Sequence, residues 1–400
     1  MLLTTRLYIL FAAIISLFSI NLNAQTDTEV YLFDLKVKES SYTLENKRNI
    51  SNNSGYDNQP SFYNDNQVLF AGTRNNQTDI AAYNVRDSIV HWINTTKQGS
   101  EYSPTKIPGE KAISAIRLDT TGLQRLYQYD YKTGKNKVLI KDLVIGYHTW
   151  YNAHTVVSAV LADGGLDLVV SNLKDHTNFT QQKKIGRSLH KIPNSQLISY
   201  ISKETSTWEI KSLDPITGTA QKITDAVPGK EDMCWLPNGT ILMPYKNRIY
   251  QYDTKGAQKW ELFKQFEDPN IWNISRIGVN TIASQLVLVS DVSPETTVDQ
   301  QTTTFVAKDL EGFLACFSED IVVQDYPNKV NYTGKTTMRE RYIQFFNNNP
   351  RITSSLTNRI VNGNVVIDKE KNTVNDEVRL VTIIYEIENG LINRMTFIRN

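Results

Sequence analysis

Cysteine and histidine are scarce in this 400-residue chain, which has two of the first and five of the second. So few thiols exclude a disulfide-stapled scaffold, and together the two residue types leave little material for a Cys/His metal site. Net charge is equally small. Lys and Arg number 43 against 42 Asp and Glu, a balance of +1 at pH 7, which excludes both the basic footprint of a nucleic-acid binder and a strong acidic field. No Gly-rich phosphate loop and no Gly-x-Ser-x-Gly elbow occurs. No cofactor and no metal are therefore expected.

Long apolar runs are also missing. The one candidate, Leu7 to Ile20, falls short of the ~20 residues that span a bilayer. It follows the cation Arg6 and ends at Asn23-Ala24 before the polar Gln25-Thr26-Asp27. These are the three regions of a secretory signal, expected over residues 1–24. The mature chain is then exported, periplasmic or extracellular, without a transmembrane segment. Cys234 and Cys316 sit in apolar surroundings and in different domains, which predicts two separately buried thiols rather than a bridge.

What is abundant is repetition. An alternating strand ending in a turn-forming Asp or Asn recurs at Asp34, Asn84, Asp130, Asn172, Asp214 and Asp253, spaced 50, 46, 42, 42 and 39 residues apart. A second mark, an apolar strand, polar turn and apolar strand, begins at Phe62, Ile107, Tyr151, Ile192, Leu236 and Ile277. Two marks in phase at 40–45 residues are the signature of four-stranded propeller blades. The chain opens with the Asp-ending strand alone and stops at Asp291 with the second mark alone, so the ends should supply one blade jointly. This predicts an all-β, six-bladed propeller over 28–292 closed by its N- and C-terminal strands. A β-sandwich or open solenoid is the competing reading. His148 and His190 lie one period apart and are candidates for a channel-lining pair if Trp150 is the anchor of its blade; otherwise they are solvated or satisfied in the core.

The run Tyr56-Asp57-Asn58-Gln59-Pro60-Ser61-Phe62, followed by Val68-Leu69-Phe70 and Asn75-Asn76-Gln77-Thr78-Asp79-Ile80, resembles a TolB-type propeller blade. The later blades keep the period and lose the signature. The resemblance implies a protein or glycan partner at the propeller face.

Past Pro294 the pattern changes. All six Trp and all five His precede it. Ser293-Pro294-Glu295 reads as a helix start, with Val298, Thr302, Phe305 and Val306 on one face. A short helix restarts at Asp309 with Leu310, Phe313, Leu314 and Phe317 inward, and a third follows Gly334 with Met338, Tyr342, Phe345 and Phe346 at helical spacing. Strands are predicted over 352–368, 377–388 and 391–398, the last two joined by Asn389-Gly390. This is an α+β unit over 295–400, a curved sheet wrapped over helices as a cone.

Lys308-Asp309-Leu310-Glu311-Gly312-Phe313, Glu319-Asp320-Ile321-Val322-Val323-Gln324-Asp325-Tyr326-Pro327, Tyr332-Thr333-Gly334-Lys335, Asn358 to Val366 and Glu388 to Ile392 resemble, in order, the SnoaL-like and ketosteroid-isomerase-like branch of the nuclear transport factor 2-like superfamily. The resemblance implies a pocket for a small apolar molecule and a homodimer through this domain. It also offers an enzyme reading, with Asp325 at the position of the family's general base. The isomerases' donor positions fall on Gln301 and near Ile383, and the domain has no histidine. Tyr332, Tyr342 or Tyr385 would have to donate instead. Otherwise Asp325 is a strand-end or capping carboxylate. Arg359 and Arg379, if inward, suit an anionic ligand; if outward, they are solvated.

Overall fold

The computed structural model describes residues 27–38, 41–53, 55–75, 77–268, 270–388 and 390–399. The expected signal segment lies outside the described residues. Among the described residues, no helix is long and apolar enough to cross a membrane.

Residues 28–291 form four four-stranded sheets and one seven-stranded sheet, which counts as two blades joined through a common strand and brings the blades to six. Blade 1 runs from Asn58 to Trp92, blade 2 from Ser100 to Ile140 and blade 5 from Cys234 to Gln265. Blades 3 and 4 share one strand, Thr177–Lys191. Its first part pairs with Gly165–Asn172 of blade 3, and after a shift between Ile185 and Leu189 it pairs with Ile198–Ser202 of blade 4. Blade 6 combines both ends of the segment. Thr28–Lys38 pairs antiparallel with Gln285–Asp291, from Thr28 opposite Asp291 to Asp34 opposite Gln285.

The local cause of the repeat is an Asx turn. The carboxylate or amide oxygen closing the strand accepts the backbone N–H two residues on: Asn84 from Arg86 at 3.0 Å, Asp130 from Lys132 at 3.1 Å, Asn172 from Lys174 at 2.9 Å, Asp214 from Ile216 at 2.9 Å and Asp253 from Lys255 at 2.9 Å. Asp34 departs from this and accepts instead from Asn46 and Arg48 of its partner strand.

Apolar clusters fill the space between consecutive blades. Leu69, Ile80 and Ala82 meet Ile113 and Tyr129, and the series continues around to Val30, Leu32 and Val289 of blade 6 against Val68, Phe70 and Tyr83 of blade 1. Each buried Val, Leu, Ile or Phe among them contributes about 1.5–3 kcal/mol. Two tryptophans tie neighbouring blades through the same bond: Trp150 Nε1 donates to Ser114 Oγ and Trp235 Nε1 to Ser199 Oγ, both at 2.8 Å. Cys234 is buried here and Cys316 in the next unit, both free thiols.

The C-terminal unit has a six-stranded sheet against helices α1 (Pro294–Ala307), α2 (Leu310–Ala315) and α3 (Lys335–Asn348). Pro294 occupies the first turn of α1, and Asp309 caps α2 by accepting Gly312 N–H at 3.1 Å. The buried face of α1 is Thr297, Val298, Gln301 and Thr304, rotated from the expected one. Threonine can be buried there because its hydroxyl is bonded: Thr304 Oγ1 donates to Gln300 O and Thr297 Oγ1 to Gly390 O. The run read as one strand over 352–368 is two, Ile352–Asn362 and Val365–Val374, turning at Gly363 with φ +61°. Glycine takes that left-handed conformation without the Cβ clash of other residues.

Candidate functional site

The C-terminal core is aromatic. Phe313, fully buried, lies 4.3 Å from Tyr342 and 4.9 Å from Phe317 by ring centroids, and Phe305 stacks on Phe345 at 5.8 Å. Three sequence-predicted tyrosines enter this core from different elements. Tyr332, from the strand Lys329–Thr333, shares a hydroxyl hydrogen bond with Tyr342 of α3, while the Arg341 guanidinium covers its ring at 4.6 Å. Tyr385 Oη donates to Glu370 Oε1 at 3.3 Å. Burial pushes the Tyr332 hydroxyl up to about 12, and Tyr342 and Tyr385 also upward, with Glu370 adding to both. All three stay protonated, with the Tyr342 proton committed to Tyr332 and the Tyr385 proton to Glu370.

Glu370 is the acceptor that the sequence reading missed. It is 5% exposed and also accepts from Ser354 Oγ at 3.2 Å and Asn372 Nδ2 at 3.0 Å. Val366, Asp368 and Glu370 are the buried alternate residues of their strand, a period-2 signal. That signal was readable, but Glu370 lay beyond the strand as predicted.

The other candidates fall elsewhere. Asp325 ends the strand Phe317–Asp325, half-buried, and accepts from Arg399 Nε at 2.9 Å. Arg359 points toward α1 and is paired on both sides. Nε and Nη2 each reach Asp368 at 2.7 Å, and Nη1 reaches Asp299 at 2.7 Å. With Glu370 and Ser354 these groups line a cavity of about 180 Å³. Arg379 is exposed and bonded to Glu377 at 2.7 Å. Gln301 and Ile383 are both buried.

In the propeller, the innermost strands surround a channel cavity of about 190 Å³ lined by Tyr147, His148, Arg187, His190, Asp232 and Arg276, among others. His148 and His190 therefore face one cavity. Each ring Nε2 meets a serine hydroxyl, His148 that of Ser114 at 2.7 Å and His190 that of Ser188 at 2.8 Å. Burial holds both rings neutral, at about 3 and about 4. A wider cavity of about 920 Å³ opens beside it, lined by Phe62, Ile192, Gln196, Trp235, Val279 and Asn280 with their neighbours. Among the described residues, no group of three or more His, Cys, Asp or Glu is placed to hold a metal ion.

Comparison with known proteins follows this division. No curated protein matches the sequence. A protein assigned as TolB from Agrobacterium tumefaciens is 11% identical over 66% of this chain and 98% of its own, with a TM-score of 0.53, a likeness of fold. A cystatin-fold protein from Novosphingobium aromaticivorans is 22% identical over 27% of this chain and 99% of its own, with a TM-score of 0.26. A protein assigned as a ketosteroid isomerase from Kribbella flavida is 17% identical over 26% of this chain and 76% of its own, with a TM-score of 0.24. Residues 298–395 match the SnoaL-like domain family, so the chain carries a SnoaL-like domain behind a propeller similar in fold to TolB.

Proposed function

We propose that this is an exported binding protein whose blades close into a ring that recognises a protein or glycan partner, while the cone binds a small apolar molecule. The assigned limits are 1–24 for the signal, 28–292 for the propeller and 295–400 for the cone. The observation that carries the reading is the 920 Å³ cavity, where aromatic and aliphatic walls alternate with amides, a surface suited to a peptide or sugar. Homodimerisation through the C-terminal domain is supported by Ile360, Val378 and Leu380, exposed on the sheet face away from the helices. Native mass spectrometry of the mature chain is expected to show a dimer with a retained small molecule. Leu380→Arg should return the monomer mass, and Tyr342→Trp, which fills the cone, should eliminate the retained molecule. A monomer with nothing retained in the unmodified protein contradicts both assignments.

The enzyme reading is favoured by one observation, the tyrosine hydroxyls gathered in the cone, with Tyr385 bonded to Glu370 and Asp325 lying apart from them at the strand end. Here Asp325, at the strand end, is the general base for moving a proton next to a carbonyl. With a β,γ-unsaturated ketone as probe, Asp325→Asn is expected to lower turnover by roughly 10²–10⁴-fold, the usual worth of a positioned base. Glu370→Gln, assayed alongside, reports whether the buried carboxylate holds that role instead. Unchanged turnover in Asp325→Asn removes Asp325 from catalysis.

A further inference from the structure

The channel contains a charge arrangement unlike the rest of the propeller. Its charged lining residues are Arg187 of blade 4, Asp232 from the segment leading into blade 5 and Arg276 of blade 6. Arg187 reaches Asp232 through Nε at 2.7 Å and through Nη2, and Nη2 also donates to Ser275 O at 3.1 Å. Arg276 uses Nη1 alone, to both Asp232 oxygens at 3.0 and 2.8 Å and to Ser275 O at 3.5 Å. Its Nε and Nη2 edge meets no acceptor among the described residues. Tyr147 lies over this guanidinium at 5.5 Å and fixes its plane. The neighbouring Lys203 and Glu231 pair with each other at 2.6 Å, and Asp291 is held by Asn273 at 2.5 Å. Two guanidiniums therefore share one carboxylate among the lining residues, while behind the lining Glu231 lies 3.9 Å from Arg187 and the Asp291 carboxyl acts on the same guanidinium.

The opposite wall adds hydrogen-bonding demand. Ser103 Oγ and His148 Nδ1 are buried without a partner. Ser114 is the ring partner of His148. Its hydroxyl accepts from Trp150 Nε1 at 2.8 Å and lies 3.1 Å from Thr105 O. The same Oγ meets His148 Nε2 at 2.7 Å, and in either tautomer the other ring nitrogen, Nδ1, is left without a partner. Nδ1 is thus a buried, unpartnered hydrogen-bonding atom of a lining residue, a cost that a ligand hydroxyl would relieve.

We propose that the channel binds a small hydroxylated monocarboxylate, its carboxylate taken bidentately by the open edge of Arg276 beside Arg187, and its hydroxyls bonded to His148 Nδ1 and Ser103 Oγ. A single negative charge matches the excess of the lining, and the guanidinium fork matches carboxylate geometry. The site is separate from the cone and adjoins the wide mouth, with which it shares Pro60, Ser61, Thr149, His190 and Ile277.

Three-carbon probes separate the two recognition elements: glycerate carries both, propanoate lacks the hydroxyls and glycerol lacks the charge. Titration of the full mature chain, followed by saturation-transfer NMR at constant ionic strength in chloride, is expected to give saturable glycerate binding at least tenfold tighter than either control. Arg276→Gln should weaken glycerate at least tenfold, and Ser103→Ala severalfold. Should Arg276→Gln fail to fold, the ring ¹⁵N resonance of His148 Nδ1 in the unmodified protein provides the readout, shifting with glycerate and not with chloride. Equal binding of the three probes, displacement of glycerate by chloride at matched concentration, or a His148 resonance indifferent to glycerate overturns the proposal.

Discussion

Raising the pH from about 5 to about 8 destabilises the propeller, and Asp57→Asn removes most of that dependence. Asp57 is 1% exposed and stands where the first strand of blade 6 meets blade 1. Its backbone exchanges bonds with Thr28, accepting from Thr28 Oγ1 at 2.9 Å and donating to Thr28 O at 3.3 Å. Its carboxyl has two donors, Thr73 N–H at 2.8 Å and Asn53 Nδ2 at 3.3 Å. Burial lifts this carboxyl from 3.8 to about 8 against the Thr73 bond, and the nearby Glu29 and Asp27 push the same way. Both of those acids are themselves raised, chiefly by burial.

Between pH about 4 and about 8 the folded chain therefore keeps a proton that the unfolded chain has released. Stability falls as pH rises through that window and levels off above it. At about 1.4 kcal/mol per pH unit of displacement, with the proton shared among three acids, the loss is on the order of 3 kcal/mol. For a domain of this size that is roughly 6–12 °C in Tm. Asparagine keeps the acceptor for Thr73 N–H and cannot ionise. Thermal unfolding followed by circular dichroism at pH 5, 6, 7 and 8 checks the expectation, and an unchanged slope in Asp57→Asn refutes it.

Asp368→Ala is expected to destabilise the C-terminal domain by about 3–5 kcal/mol, the cost of orphaning a buried partner. Asp368 is 1% exposed and takes two of the three bonds made by Arg359. Its removal leaves that guanidinium with Asp299, whose side chain is largely exposed. Replacing both members by leucine should cost much less, since no charge is then left unpaired. Arg379→Ala, which breaks the exposed pair with Glu377, should change stability by under about 1 kcal/mol. Guanidinium unfolding midpoints of the three variants test the ordering, and a single-variant cost near zero contradicts it.

The blade period was legible because its cause is local. An Asn or Asp that closes a turn on its own backbone has to recur wherever that turn recurs. The sharing of Thr177–Lys191 by two blades was not legible, since a polar stretch from Thr177 to Lys184 reads as an outer strand and only long-range pairing shows that it continues inward. In the cone, Phe313, Met338 and Phe346 followed helical spacing into the core, whereas Asp368 and Glu370 look like the solvent face of a strand. They are buried because Arg359 and Tyr385 reach them from other elements, and those partners are set by tertiary contacts. Of the channel lining only the His148 and His190 pair was legible; Tyr147, Arg187, Asp232 and Arg276 meet around the same cavity without one residue type running through all four to reveal the period.

The shared strand has a mechanical consequence. Thr177–Lys191 runs about 50 Å if fully extended, from the outer edge of blade 3 to the channel, with no loop between, and it delivers Arg187 at its inner end. Elsewhere a connection outside the strands separates each blade's rim from the next blade's axis. Here a single strand, bent where Lys184 takes φ +54°, joins the two, so the rim at Thr177 and the guanidinium of Arg187 are linked through unbroken chain and sheet pairing.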